Sequence, residues 1–253
     1  MKELKIMTCN LLTDRLVLHD NPKFSIRIKS IESMIHQYKP DIICVQELTE
    51  TMLPFMNDIL NQYEIAGEYR HSYCSNEGNM ILFKKDRFVH HQTKTLWLSN
   101  TPLHRGSKFL FSQFPRITTY VTLHDRLTSQ SITIFNTHLD ALFNFVRMRQ
   151  LETLMKLIQQ YSNSTYTILC GDFNTTSSTI QPIINTYFKD IVPDSIGSTL
   201  RGKQGSKRFH NQPIDHILIS NDQNVSYTVF KITDSYNNIY PSDHYPIIST
   251  LSF

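Results

Sequence analysis

Asn10, Glu47, His138, Asp172, Asn174, Asp215, Asp243 and His244 are the side chains whose types and positions suit cation binding and acid–base chemistry. Each stands where a short apolar run meets a polar group. Alternate residues of an extended strand face the same side, so Leu4, Ile6 and Thr8 form a row that ends at Asn10. Ile43 and Val45 lead to Glu47, Ile132 and Ile134 to Asn136 and His138, and Ile168 and Cys170 to Asp172 and Asn174. Asp215 reverses the order: it precedes Ile217 and Ile219, so its strand should run antiparallel to the others. Asp243 and His244 likewise come just before the last apolar run. If the strands form two face-packed sheets, parity gathers all these groups at one rim.

A carboxylate at the end of a buried row is costly unless it is paired or binds a cation, and converging carboxylates repel one another without one. Hard oxygen donors with no zinc-type cysteine spacing select Mg2+, with Mn2+ as a substitute, over zinc. Such an ion is held by few carboxylates and a substrate phosphate, where it polarises a phosphoryl oxygen and readies a water for in-line attack. Every element also has a plainer reading. Asp172-Phe173-Asn174 after Gly171 is a turn signal, and a histidine on an apolar strand is commonly a satisfied core residue. Glu47 could begin a helix over 49–60 that its charge stabilises, and Asp243-His244 could be an ordinary loop pair. These readings leave unexplained why all of the groups occur in order at strand ends.

The elements that must position them can be read from periodicity. Short apolar or alternating runs predict strands at about 3–10, 41–46, 79–84, 116–124, 131–138, 166–171, 215–220, 225–232 and 246–252. Ile28, Ile31, Met34 and Ile35 predict a helix over 25–38 that stops at Lys39-Pro40. Phe145, Met148, Leu151, Leu154, Met155 and Ile158 predict another over 144–161, with Asn144 as its N-cap. Segments 98–115 and 193–213 read as loops, the second with Gly197, Gly202 and Gly205 among Arg201, Lys203, Lys207 and Arg208. No repeat or linker divides the 253 residues, so one domain over 1–253 is expected. No apolar run is long enough to span a bilayer, and the charged start Met1-Lys2-Glu3-Leu4-Lys5 lacks a signal-peptide core, which points to the cytoplasm. Cys9, Cys44, Cys74 and Cys170 have no C-x-x-C pairing; three sit in apolar runs and read as buried, reduced thiols. The net charge of +3 suits a phosphate-bearing substrate without by itself indicating nucleic acid.

Six blocks together resemble the endonuclease/exonuclease/phosphatase superfamily, the DNase I-like phosphoesterases. They are Thr8-Cys9-Asn10-Leu11, residues 40–47 ending in Gln46-Glu47, Asn136-Thr137-His138-Leu139-Asp140, Gly171-Asp172-Phe173-Asn174, Ile214-Asp215-His216-Ile217 and Ser242-Asp243-His244-Tyr245-Pro246. They keep the family's order from residue 8 to 246. Trp97 to Pro102 and Pro115-Arg116-Ile117-Thr118 are similar to a bacterial subgroup. The resemblance implies an α/β fold, a four-layer α/β/β/α sandwich of two packed mixed sheets, and metal-dependent phosphoester hydrolysis. It implies that Glu47 holds the Mg2+ (or Mn2+) with Asn10 and Asp243, and that Asp172 and Asn174 position water and phosphate. His244, oriented by Asp215, is implied as general base or phosphate-stabilising group, and His138 as the group that stabilises developing charge or protonates the leaving group. Glu77 is expected to pair with His138 and raise its pKa, with a turn glutamate as the plainer reading. Arg116 is expected either to reach the phosphate or to be a surface residue, and Asp140 to support the site.

Three substrate readings follow. Trp97, Phe109 and Phe111 among Arg105 and Lys108, with Arg201 to Phe209, suit a nuclease-type phosphodiesterase acting on single-stranded nucleic acid or nucleotides. A chain this short for the fold also suits a phosphomonoesterase or headgroup phosphodiesterase with a small substrate. A catalytically dead scaffold is disfavoured because every core motif residue is present. No membrane span and no obligate protein partner is expected.

Overall fold

The structure is a computed structural model and describes residues 3–14, 22–71, 76–202, 209, 211–221 and 224–253. Twelve strands form two six-stranded sheets. The first has the order β11 (Ser226–Lys231), β12 (Ile247–Ser252), β1 (Glu3–Asn10), β2 (Ile42–Thr49), β4 (Glu77–Lys84), β3 (Tyr63–Ala66). The second has the order β5 (Phe88–Trp97), β6 (Ile117–Asp125), β7 (Gln130–His138), β8 (Tyr166–Asp172), β10 (Asp215–Ser220), β9 (Phe188–Asp190). Leu4, Ile6, Cys44, Ile81, Val121, Ile132, Ile134, Ile168, Cys170 and Ile217 interdigitate between the sheets. Helix α1 (Phe24–Tyr38) and the short α2 (Asn57–Gln62) cover the outer face of the first sheet through Ile28, Ile31, Met34 and Ile59. Helices α3 (Asn144–Tyr161) and α4 (Ser177–Ile184) cover the second through Leu151, Leu154, Ile158, Ile180 and Ile184. The result is the expected four-layer α/β/β/α sandwich. Among the described residues, no helix is long and apolar enough to cross a membrane.

Topology explains why one rim collects the polar groups. Each sheet has one parallel pair, β1–β2 joined through α1 and β7–β8 joined through α3. Those four strands end at Asn10, just beyond Glu47, at His138 and at Asp172. Their antiparallel neighbours β4, β6, β10 and β12 therefore start at the same rim, bringing Glu77, Arg116, Asp215 and Asp243-His244 there. At the other end Arg87 ties the sheets together, 2.7 Å from Asp41 at the start of β2 and 2.7 Å from Asp125 at the end of β6.

Several boundaries differ from the sequence reading. The strands missed, β3, β5 and β9, are all sheet edges. Two are very short, and β5 carries the polar stretch His90 to Lys94, as an edge facing water does. Helix α4 was missed because its Ser/Thr start and internal Pro182 oppose helix propensity. The helix expected over 49–60 is a strand end, a 3-10 turn over Leu53–Met56 and α2. Asn144 is the first residue of α3 and not its N-cap, which is Phe143. Phe145 does not join the buried stripe; it is 53% exposed, because the helix turns Val146, Arg147, Gln150 and Leu151 inward. Helix α1 ends as expected, with Lys39 in the left-handed region before Pro40 and its amide bonded to the Ile35 carbonyl. Cys9, Cys44 and Cys170 are buried free thiols in β1, β2 and β8, while Cys74 lies outside the described residues.

Candidate active site

Asp172 Oδ2 is the hub of the rim. Asn10 Nδ2 donates to it at 3.0 Å and also to Glu47 Oε1 at 3.0 Å. His138 Nε2 lies 3.6 Å and His244 Nε2 3.8 Å from the same oxygen. Asp215 Oδ2 holds His244 Nδ1 at 2.8 Å, which leaves Nε2 facing Asp172. Asn10, His138, Asp172, Asn174, Asp215 and His244 are each 8% exposed or less, whereas Glu47 and Asp243 are half-buried. The other oxygen of Asp172 makes a turn, accepting the Asn174 amide at 2.9 Å. The turn reading of Asp172-Phe173-Asn174 therefore holds for one carboxylate oxygen, and the other faces the rim cluster.

Backbone geometry aims these groups. Gly171 has φ +150°, and a Cβ there would stand 2.0 Å from the Thr137 carbonyl oxygen on β7, so only glycine fits. Glu47 has φ +63° at a bulge where the β2–β4 register shifts between Val45 and Leu48. A bulge re-aims a side chain, and a non-glycine residue in the left-handed region stores strain. The Glu47 carboxylate is fixed by Asn10 and by the Thr13 amide at 2.8 Å.

Beneath the rim, Gln46 donates to Thr8 Oγ1 at 3.1 Å and to Asn136 Oδ1 at 2.7 Å. Asn136 in turn donates to the Val45 and Met80 carbonyls. This buried network locks the two sheets together directly below Glu47 and His138. Arg27, 1% exposed on α1, donates to the carbonyls of Leu11, Leu12, Pro22 and Pro241, clamping the loop after Asn10 to the loop before Asp243. Thr199 Oγ1 accepts the Ile214 and Asp215 amides, and its carbonyl accepts the Tyr245 amide. Sequence reasoning missed Arg27 and Thr199 as supports, since neither lies in a motif.

The electrostatics are those of crowded anions. Burial, then the neighbouring Asp215, raise the pKa of Asp172 to about 7. Burial disfavours the charged form of His244, but Asp215 and Asp172 outweigh it and hold the ring protonated, well above its usual range. His138 goes the other way: burial, then Arg116, Arg70 and His244, push it well below its usual range. A buried carboxylate whose pKa rises this far beside a second carboxylate marks a site short of positive charge. Asp172, Asp215 and His244 each place a ligand atom within 4.8 Å of the others, and the buried Asp215 Oδ1 has no hydrogen-bond partner among the described residues. The carboxylate oxygens of Asp172 and Asp215 fit a hard divalent cation, whereas the protonated His244 ring has no lone pair to give it. Asn10 and Glu47 border the group through Asp172, and Asp243 and Glu47 both act on the Arg27 charge.

The supporting residues need correction. Glu77 pairs with Arg70 at 2.8 Å, and the His138 pKa falls instead of rising because burial, and then Arg116 and Arg70, disfavour its charged form. Asp140 is taken up by the loops: its Oδ1 accepts the Leu142 and Phe143 amides and its Oδ2 the Ser112 hydroxyl, tying two loops and leading into α3. Arg116 is no surface residue. It is 8% exposed, its Nε has no hydrogen-bond partner among the described residues, and it lines a small cavity with His138, Arg70 and Asn79. Of the loop aromatics, Trp97 and Phe109 are buried, Trp97 bonding the Arg70 carbonyl, while Phe111 is exposed. Lys203, Gly205, Lys207 and Arg208 lie outside the described residues.

His216, beside Asp215, is fully buried and donates from both ring nitrogens, to Asp190 at 2.7 Å and to the Thr175 carbonyl at 2.9 Å. Both partners are acceptors only, so the ring is an imidazolium. Burial opposes that charge, but Asp190 outweighs it and the pKa is raised. Such a group stabilises the fold fully below its unfolded pKa of about 6.5 and loses that contribution as pH rises through the folded value. Urea unfolding should therefore show His216→Gln to cost roughly 3 kcal/mol at acidic pH, with a smaller gap from the wild type at alkaline pH. An equal gap across the range would mean that the ring is neutral.

Comparison with known proteins agrees with this geometry. The model of the Endonuclease/Exonuclease/phosphatase family matches residues 7–244. Protein angel of Drosophila melanogaster is 25% identical over 187 residues, which cover 67% of this chain and 52% of that protein. The chain thus spans about half the length of that relative. The mannosyl-6-phosphatase of Bacteroides thetaiotaomicron superposes with a TM-score of 0.86 at 23% identity, covering 99% of this chain and 100% of that one. TDP2 of D. rerio, in complex with a single-strand DNA product, superposes with a TM-score of 0.76 at 16% identity over 100% of both chains. With nearly the whole chain matched and all six motifs in place, the protein belongs to the endonuclease/exonuclease/phosphatase family of phosphoester hydrolases.

Proposed function

We propose that this chain is a Mg2+-dependent phosphodiesterase of nuclease type, which cleaves a P–O bond by in-line attack of water. The observation that carries the reading is the convergence of Asn10, His138 and His244 on Asp172 Oδ2, with Glu47 bridged to it through Asn10. Asn10, Glu47 and Asp243 would hold the ion, which when bound supplies positive charge to a phosphoryl oxygen. Asp172, with a pKa near 7, is matched to take a proton from the attacking water, and Asn174 borders the same space. Protonated His244, steadied by Asp215, donates to a phosphoryl oxygen and stabilises the charge that develops there. That choice follows from its raised pKa, which disfavours the general-base role. Neutral His138 faces the leaving-group side beside Arg116.

A second reading, hydrolysis of a small phosphomonoester, is favoured by Arg116. A buried guanidinium whose Nε lacks a partner, next to a histidine kept neutral, suits the extra charge of a dianionic phosphate. End-labelled single-stranded DNA and RNA, incubated with Mg2+ beside an EDTA control, separate the readings. Products resolved by length and absent with EDTA are expected. Phosphate release from small monoesters without any strand cleavage would replace the first reading with the second.

A further inference from the structure

Two loops at the catalytic rim hold large apolar side chains in the open. Leu110 and Phe111 lie between β5 and β6, and Leu142, Phe143 and Phe145 lie between β7 and the first turn of α3; their exposures run from 44% to 79%. The rings form one cluster, with Phe145 5.9 Å from Phe111 and 5.7 Å from Phe143. The loops beneath are pinned. Asp140 accepts the Leu142 and Phe143 amides and the Ser112 hydroxyl, and Gln150 accepts the Asp140 amide at 2.9 Å.

The cluster is continuous with the site. Asp140 is two residues beyond His138, and Leu142 lines a 480 Å³ cavity with Arg147, Phe209, Thr175 and Thr176, the last two directly following Asn174. The two loops carry cations: residues 98–115 and 139–149 contain Arg105, Lys108, Arg147 and Arg149, and their one acid is the engaged Asp140, with the exposed Glu152 further along α3.

We propose that Phe111, Phe143 and Phe145 form a stacking platform for the bases of single-stranded nucleic acid whose backbone leads to Asp172. This inference rests on the nuclease reading above. Rigid, exposed aromatic rings interleaved with cations are what sequence-tolerant single-strand binding needs, and the two loops themselves carry no free acid to repel the phosphates. An acidic membrane surface matches the same charge and apolarity, but the rings lie against one another on hydrogen-bonded loops beside the cavity, and do not crown a free tip.

The test is fluorescence anisotropy of labelled oligothymidylate of about a dozen nucleotides in EDTA, where no turnover occurs. The double substitution Phe111→Ser with Phe145→Ser should raise Kd roughly tenfold or more while leaving Mg2+-dependent turnover of bis(4-nitrophenyl) phosphate unchanged. An unaltered Kd overturns the platform. So does an unaltered Kd accompanied by lost pelleting with phosphatidylserine vesicles, which would assign the patch to a membrane. Failure of the wild type to turn over the chromogenic diester would instead sink the diesterase reading, with the anisotropy result standing separately.

Discussion

His244→Ala is expected to lower phosphoester turnover by roughly 10²–10⁴-fold while the protein stays folded. The ring is 8% exposed, bonded at 2.8 Å to Asp215 and aimed at Asp172, so no other group can take its place. Asp215→Asn should lose a comparable amount, because the amide would no longer hold the ring in its protonated form. The double variant should be little worse than either single one, as expected of side chains that act as a unit. Steady-state kinetics on one ester, with thermal unfolding as the folding control, checks all three. Two independent, additive losses would mean that Asp215 serves something other than His244.

Glu47→Gln is expected to remove the response to Mg2+ and to reduce turnover by about 10²-fold or more, the equivalent of several kcal/mol of charge stabilisation. A ligand at 100 times its Kd stabilises a fold by about 2.7 kcal/mol, so Mg2+ should raise the Tm of the wild type by about 5 °C or more. Glutamine keeps the shape and can keep contact with Thr13, but it lacks the charge. The thermal shift is informative whatever happens to turnover. A full Mg2+ shift in Glu47→Gln would move the ion to the carboxylates of Asp172 and Asp215, whose oxygens lie within 4.8 Å of one another.

Much of the site was legible because β-strand parity is a local rule with a tertiary consequence. Asn10, Glu47, His138 and Asp172 each follow an apolar row, and the parallel pairs β1–β2 and β7–β8 carry those rows to one rim. The antiparallel sense of β10 could likewise be read from Asp215 preceding its apolar residues, and the register pairs Asp215 with Asp172. Residues without periodicity were not legible. Edge strands β3 and β9 have few residues, and β5 turns a polar stretch to water, so their patterns fade.

The sandwich, its motif order and the groups that meet at the rim are encoded in local pattern, because buried rows of alternating side chains leave few ways to pack. Only the tertiary structure decided who partners whom. Glu77 turns to Arg70, Asp140 to the loop amides, and Arg116 goes inward beside His138. It also decided which aromatics face water: Phe109 is buried beneath Arg149, and Phe145 is left outside with Phe111. Such choices depend on charges and surfaces from distant segments, whose balance of burial against pairing no local pattern encodes.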